Sequence, residues 1–112
     1  MALSIEVSTP ADRPIIATIT GDAGLGKTTL GASFPKPIVI RAEDGLQAIP
    51  IDQRPDAFPL VHKVDDLWAQ LKDLCTSDHS YKTLMVDSVT ALERLFTQHV
   101  IDSDPKNPQS IN

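Results

Sequence analysis

The octapeptide Gly21-Asp22-Ala23-Gly24-Leu25-Gly26-Lys27-Thr28 constrains this chain more than any other stretch. It fits G-x-x-x-x-G-K-[ST] at every fixed position. A β-branched run, Ile15-Ile16-Ala17-Thr18-Ile19-Thr20, precedes it, and a helix-compatible stretch, Lys27 to Phe34, follows. Glycines let the backbone turn tightly and aim successive N–H groups into one concavity, which suits an anion. The start of the next helix adds partial positive charge to it. In such a loop Lys27 reaches the β- and γ-phosphates and the Thr28 hydroxyl binds Mg²⁺. A chance fit is on the order of 1 in 10⁴ or rarer per start position, so a Gly-rich turn of no consequence is the weaker reading. The expected phosphate-binding residues are Gly21, Asp22, Ala23, Gly24, Leu25, Gly26, Lys27, Thr28 and Thr29.

The remaining pattern predicts an α/β domain with a mostly parallel sheet flanked by helices. Residues 1–13 read as an N-terminal strand or arm, residues 14–101 as the nucleotide-binding domain and residues 102–112 as a polar, disordered tail. Strands are expected at Ile15–Thr20, Ile38–Ile40, Leu60–His62 and Thr83–Val86, with a loop over 46–59, where Pro50, Pro55 and Pro59 fall. From Asp65, the apolar positions Leu67, Trp68, Leu71, Leu74 and Cys75 predict one face of an amphipathic helix, with Asp65 or Asp66 as N-cap. Ser88 is expected to cap a last helix whose inner face is Val89, Leu92, Leu95, Phe96 and Val100.

Two acids stand at strand ends. Leu84-Met85-Val86-Asp87 delivers a carboxylate where a nucleotide site needs an Mg²⁺ ligand; Asp87 or Ser88 could instead simply cap the helix. Hydrolysis also needs a group that orients or deprotonates water. The position after Asp87 is Ser88, so that group must come from another strand. Glu43, following Ile38-Val39-Ile40, is the candidate; Asp44 competes with it, and both could be solvated loop acids.

These residues resemble RecA-type recombinase ATPases. More closely, they resemble phage-encoded RecA-like nucleotide-binding proteins, among them single-strand annealing ATPases. The points of similarity are Gly21 to Thr29, Ala32-Ser33-Phe34-Pro35, Glu43-x-Gly45 and Tyr81-Lys82-Thr83-Leu84-Met85-Val86-Asp87-Ser88, within about residues 14–100. The resemblance implies ATP and Mg²⁺, with Lys27 and Glu43 catalytic, and Thr28 and Asp87 on the metal. It also implies a role in DNA recombination or annealing, and self-association of the complete protein. Arg41 departs from it, standing where recombinases commonly carry an acid. In RecA-like folds a further strand, carrying a polar sensor, lies between the phosphate-loop strand and the Asp87 strand. The DNA-contacting loops come later still. The expectation is therefore the N-terminal half of a RecA-like domain, truncated before the sensor strand, with either a gap beside the Asp87 strand or direct pairing across it.

Composition narrows the other function classes. The chain has 112 residues, 41% of them hydrophobic, a net charge of -5 and one cysteine. It has no apolar run near the roughly 18 residues of a membrane span and no secretory pattern. A lone Cys75 fits a reducing compartment, so a cytoplasmic location is expected, in the host if phage-encoded. The ten basic residues are dispersed at spacings of five or more, which weakens a nucleic-acid groove; single-stranded DNA contact is expected only through segments absent here. His62, His79 and His99 have no metal-ligand spacing. Trp68 and Cys75 read as core residues. A binding module without useful turnover is the alternative; a small-molecule kinase is the weaker one, because its arginines would be too few and too scattered for a lid.

Overall fold

A computed structural model describes residues 2–6, 14–22, 25–104 and 106. The elements run α1 (Lys27–Ala32), β1 (Pro37–Arg41), β2 (Asp56–Ala57), α2 (Val64–Thr76), β3 (Thr83–Asp87) and α3 (Val89–Ser103). Two single 3₁₀ turns, Leu46–Ala48 and Ile51–Gln53, interrupt the loop between β1 and β2. The three strands form one parallel sheet in the order β2-β1-β3. The fold is thus the α/β architecture expected, a three-stranded parallel sheet with flanking helices.

β1 is central, and it is the one strand of the three that is buried on both faces. Ile38, Val39 and Ile40 are buried to 7%, 0% and 0% exposure, the signature of a strand covered on both sides. In β3 the two faces differ. Met85 lies opposite Val39 in register, on the face that α1 covers. Gly31 of α1 sits so close that a Cβ there would lie 2.6 Å from Met85 Sδ. Leu84 and Val86 share the other face with Ile38 and Ile40, yet remain 41% and 38% exposed. The main core gathers under β1 instead: Ile40, Val61 and Leu67, with Phe58, Leu71, Leu92 and Leu95 packed against them.

Several expectations are corrected. Ile15–Thr20 forms no strand; it is exposed throughout, Ile15 at 92% and Ile16 at 96%. A β-branched run becomes a strand only where a neighbour offers its backbone groups. Both edges of β1 are taken, by β2 and β3, and among the described residues nothing pairs with the outer edge of β3. Of the two anticipated outcomes, direct pairing is therefore not seen. Leu60–His62 is likewise no strand. The ladder beside β1 is made earlier, at Asp56–Ala57, inside the stretch expected to be loop. Beyond it the Phe58 N–H donates to Val39 O (2.9 Å) and the Val61 N–H to Arg41 O (2.8 Å). A regular parallel ladder would continue from Phe58 to the Leu60 N–H, so the Val61 bond is one residue out of step and the ladder ends there.

The helices differ from expectation at their flanks. α2 begins at Val64 with Lys63 as N-cap, and neither Asp65 nor Asp66 takes that place. Asp66 reaches back from the first turn, its Oδ2 accepting the His62 N–H (3.0 Å) and the Lys63 N–H (3.2 Å). Trp68 is 56% exposed and Cys75 is exposed. Seven positions apart, they form a stripe beside the buried Val64 and Leu67 and the half-buried Leu71, out of the core. α3 is capped as expected, Ser88 Oγ accepting the Ala91 N–H at 3.2 Å. Its inner side is the buried Ala91 with the half-buried Leu92 and Leu95; Val89 and Val100, at 67% and 66% exposure, lie on the adjoining stripe. Phe96 on that stripe meets Trp68 edge to face at 6.4 Å. Both helices have apolar faces wider than the one surface they cover. Pro105 and residues 107–112 of the expected tail, and most of the expected N-terminal arm, fall outside the described residues.

Candidate functional site

Gly26 starts the site. Its φ of 91° is left-handed, and from there α1 begins, with Gly26 O accepting the Leu30 N–H at 2.9 Å. A side chain at that φ would be strained, so the glycine is a backbone requirement. The turn sends Lys27 and Thr28 in different directions. The Lys27 ammonium donates to Gly21 O, folding the loop back on its own first residue. The Thr28 hydroxyl donates to Asp87 Oδ2 at 3.4 Å, a bond between residues 59 positions apart. Both groups are half-buried.

The end of β3 organises the other side. Asp87 lies opposite Arg41 in the parallel register. Its carbonyl accepts the Ala42 N–H at 2.7 Å and the Glu43 N–H at 3.4 Å, which fastens the corner after β1 to the end of β3. Glu43 is held at the same rim, and its charge acts on Asp87. The Asp87 carboxyl is raised above its ordinary value of 3.8, first by burial and then by the Glu43 charge. The Thr28 hydroxyl and the Lys27 ammonium pull in the opposite direction. Asp44 is occupied elsewhere: Oδ1 lies 3.5 Å from the Arg41 guanidinium, and Oδ2 accepts from Gln47 Nε2 at 2.9 Å. Arg41 also donates to Phe58 O (3.2 Å), which draws the guanidinium toward the β2 side.

Sequence reasoning gave Gly45 no part in this geometry. Its Cα faces the carboxylate so closely that a Cβ would lie 2.6 Å from Asp87 Oδ2 and 3.4 Å from Thr28 Oγ1. The sequence signal was the glycine two places after Glu43, but nothing local told that a carboxylate would arrive there.

Lys27, Thr28, Glu43 and Asp87 are therefore brought together, with Gly21 and Gly26 at the two ends of the loop. Asp22, Leu25 and Thr29 are exposed; Ala23 and Gly24 fall outside the described residues. Among the described residues no group of three or more His, Cys, Asp or Glu could hold a metal ion. A magnesium ion does not need one, since it keeps several waters and takes one or two protein oxygens beside substrate phosphates. A hydroxyl and a carboxylate, both hard oxygen donors, facing a glycine where any side chain would intrude, fit that ion. No described helix is long and apolar enough to cross a membrane.

Residues 13–111 match the family model described as AAA domain, a family of P-loop NTPases. No curated protein and no solved structure matches the chain.

Proposed function

The chain belongs to the AAA domain family, for which P-loop nucleotide binding is the common activity, and we propose that it binds Mg·ATP between the Gly21–Thr29 loop and Asp87 and hydrolyses it. The observation that carries this reading is the Thr28–Asp87 hydrogen bond, which sets the expected phosphate loop against the expected metal acid. Backbone N–H groups of the loop receive the phosphates. Lys27 exchanges the Gly21 carbonyl, its present acceptor, for the β- and γ-phosphate oxygens. Thr28 and Asp87 would hold Mg²⁺, which would neutralise charge on the phosphates. Glu43, at the same rim and outside the Thr28–Asp87 pair, orients or deprotonates the attacking water. In this reading Asp87 must be ionised, and Lys27 and Thr28 favour that form against burial and Glu43.

The finer assignment is a phage-encoded RecA-like ATPase serving DNA recombination or single-strand annealing. It is supported by the Glu43-x-Gly45 and Tyr81–Ser88 segments and by the loop. Steady-state ATP turnover, measured with and without single-stranded DNA, tests it. Turnover that depends on Mg²⁺ and rises with DNA is expected; turnover indifferent to DNA removes the recombination role and leaves the ATPase. A second reading, nucleotide binding without useful turnover, is favoured by the exposed Ile15–Thr20 run and the unpaired outer edge of β3 among the described residues. The strand that would brace the loop is not in the sheet. Binding of a fluorescent ATP analogue with no measurable phosphate release would select it.

A further inference from the structure

Arg41 closes β1 directly opposite Asp87 in the parallel register, so the two side chains leave the sheet on one face. The arginine is nonetheless not spent on that carboxylate, which takes the Thr28 hydroxyl. The only ion pair among the described residues joins Arg41 to Asp44, Nη1 lying 3.5 Å from Oδ1. Its Nε donates to Phe58 O at 3.2 Å, and its carbonyl accepts the Val61 N–H at 2.8 Å. Side chain and backbone of the half-buried Arg41 are thus both anchored on the 58–61 segment. Asp44 is held at its other oxygen as well, Oδ2 accepting from Gln47 Nε2 at 2.9 Å. Its neighbour Glu43 is held by backbone alone: its N–H donates to Asp87 O, and its carbonyl accepts the Gly45 N–H at 3.1 Å. The Glu43 carboxylate takes no hydrogen bond and makes no ion pair among the described residues.

We propose that Arg41 is the positioning residue for Glu43: through Asp44 it turns the corner after β1 so that Glu43 faces the Asp87 rim. The inference rests on the reading of the site as one that hydrolyses Mg·ATP. The Asp87 carbonyl fastens the start of the corner, at Ala42 and Glu43. The Arg41–Asp44 tie fastens it a second time, just past Glu43. One fixed point leaves a corner free to rotate; two set the direction in which the residue between them projects. A base must come within hydrogen-bond reach of the attacking water, so a corner that rotates loses rate without losing nucleotide. Arginine suits the task because its planar group presents Nε to a carbonyl and Nη1 to a carboxylate at once, where lysine has a single nitrogen. A direct phosphate contact by Arg41 is the weaker assignment, since Phe58 and Asp44 already engage its guanidinium.

The test is steady-state turnover and Mg·ATP binding in the 112-residue chain. Arg41→Ala should lower kcat about fivefold and leave Mg·ATP affinity within about twofold, because Lys27, Thr28 and Asp87 stay in place. Asp44→Ala, a change at an exposed residue, breaks the tie from its other end and should give the same split. The double variant should lose no more than either single one. Arg41→Lys keeps the charge and should recover part of the rate. In Glu43→Gln, which lacks the base, Arg41→Ala should lower the residual single-turnover rate no further. Unchanged kcat in both single variants, additive losses, or an equal loss in Glu43→Gln overturns the proposal. A fall in affinity without a fall in kcat also overturns it, by assigning Arg41 to the nucleotide. A parent chain with no Mg²⁺-dependent turnover overturns the hydrolytic reading and this inference together, an outcome distinct from an active parent whose variants are unaffected.

Discussion

Gly45 and Asp87 approach so closely that the absence of a side chain on one sets the position of the carboxylate of the other, a Cβ at Gly45 lying 2.6 Å from Asp87 Oδ2. The corner after β1 reaches this position because the Asp87 carbonyl accepts two of its N–H groups. Gly45→Ala should therefore push the carboxylate away from Thr28. Mg·ATP affinity should fall at least tenfold, about 1.4 kcal/mol. Titration with a fluorescent ATP analogue, with and without Mg²⁺, measures this; an unchanged Mg²⁺ dependence would sink the idea.

The three charged residues of the site should separate by role. Lys27→Ala should weaken Mg·ATP binding about tenfold or more, by removing the cation that meets the phosphates. Asp87→Ala should remove most of the Mg²⁺ dependence of binding. Glu43→Gln should leave binding nearly intact and lower turnover. If Glu43→Gln abolishes binding, Glu43 holds the metal or the corner, and the base is another group.

Asp87 also predicts a pH dependence with a definite sign. Its carboxyl is raised in the folded chain above 3.8, chiefly by burial. The folded state then binds the proton more tightly than the unfolded state, so this group favours folding below its unfolded value. That contribution is lost as pH rises through the folded value. Denaturant midpoints measured from pH 4 upward should show a falling component that disappears in Asp87→Asn. Mg²⁺-dependent nucleotide binding should run the other way, failing on acidification at a higher pH than an ordinary carboxylate would impose. A parent and Asp87→Asn with parallel stability profiles would refute the first part.

Gly31 and Met85 decide how α1 lies on the sheet. A Cβ at Gly31 would meet Met85 Sδ at 2.6 Å and Cε at 2.9 Å, the far end of a flexible side chain. Gly31→Ala should thus cost little, since the gain in helix propensity of about 1 kcal/mol offsets the displaced methionine. Gly31→Leu should destabilise by about 1–3 kcal/mol, and Met85→Ala should recover part of that. Urea unfolding of the double-mutant cycle measures the coupling; strictly additive effects would mean that α1 does not rest on Met85.

The exposed Ile15, Ile16, Leu84 and Val86 are apolar surface that a lone chain leaves in water. Sedimentation velocity should show association that grows with concentration, and Leu84→Lys should reduce it. A chain that stays monomeric at high concentration would remove this expectation.

The amino-acid sequence by itself determined the local pieces. The turn at Gly26, the apolar run of β1, the Ser88 cap and the acid at the end of Leu84-Met85-Val86 were all legible, because each depends on near neighbours: a φ that only glycine adopts readily, a run with no polar break, a hydroxyl beside a helix start. Periodicity was less informative, because it shows how wide an apolar stripe is and not how much of it another element will cover. Trp68, Cys75, Val89 and Val100 were expected inside for that reason, and lie on the uncovered side. The tertiary structure alone decided that Asp44 turns to Arg41 while Glu43 stays beside Asp87. It also decided that Gly45 meets a carboxylate 42 positions away, and that Ile15–Thr20 lies apart from the sheet although the outer edge of β3 is unpaired among the described residues. Such outcomes depend on which backbone edges and charges arrive from distant parts of the chain, and a strand-forming run becomes a strand only when the rest of the chain brings it against one of those edges.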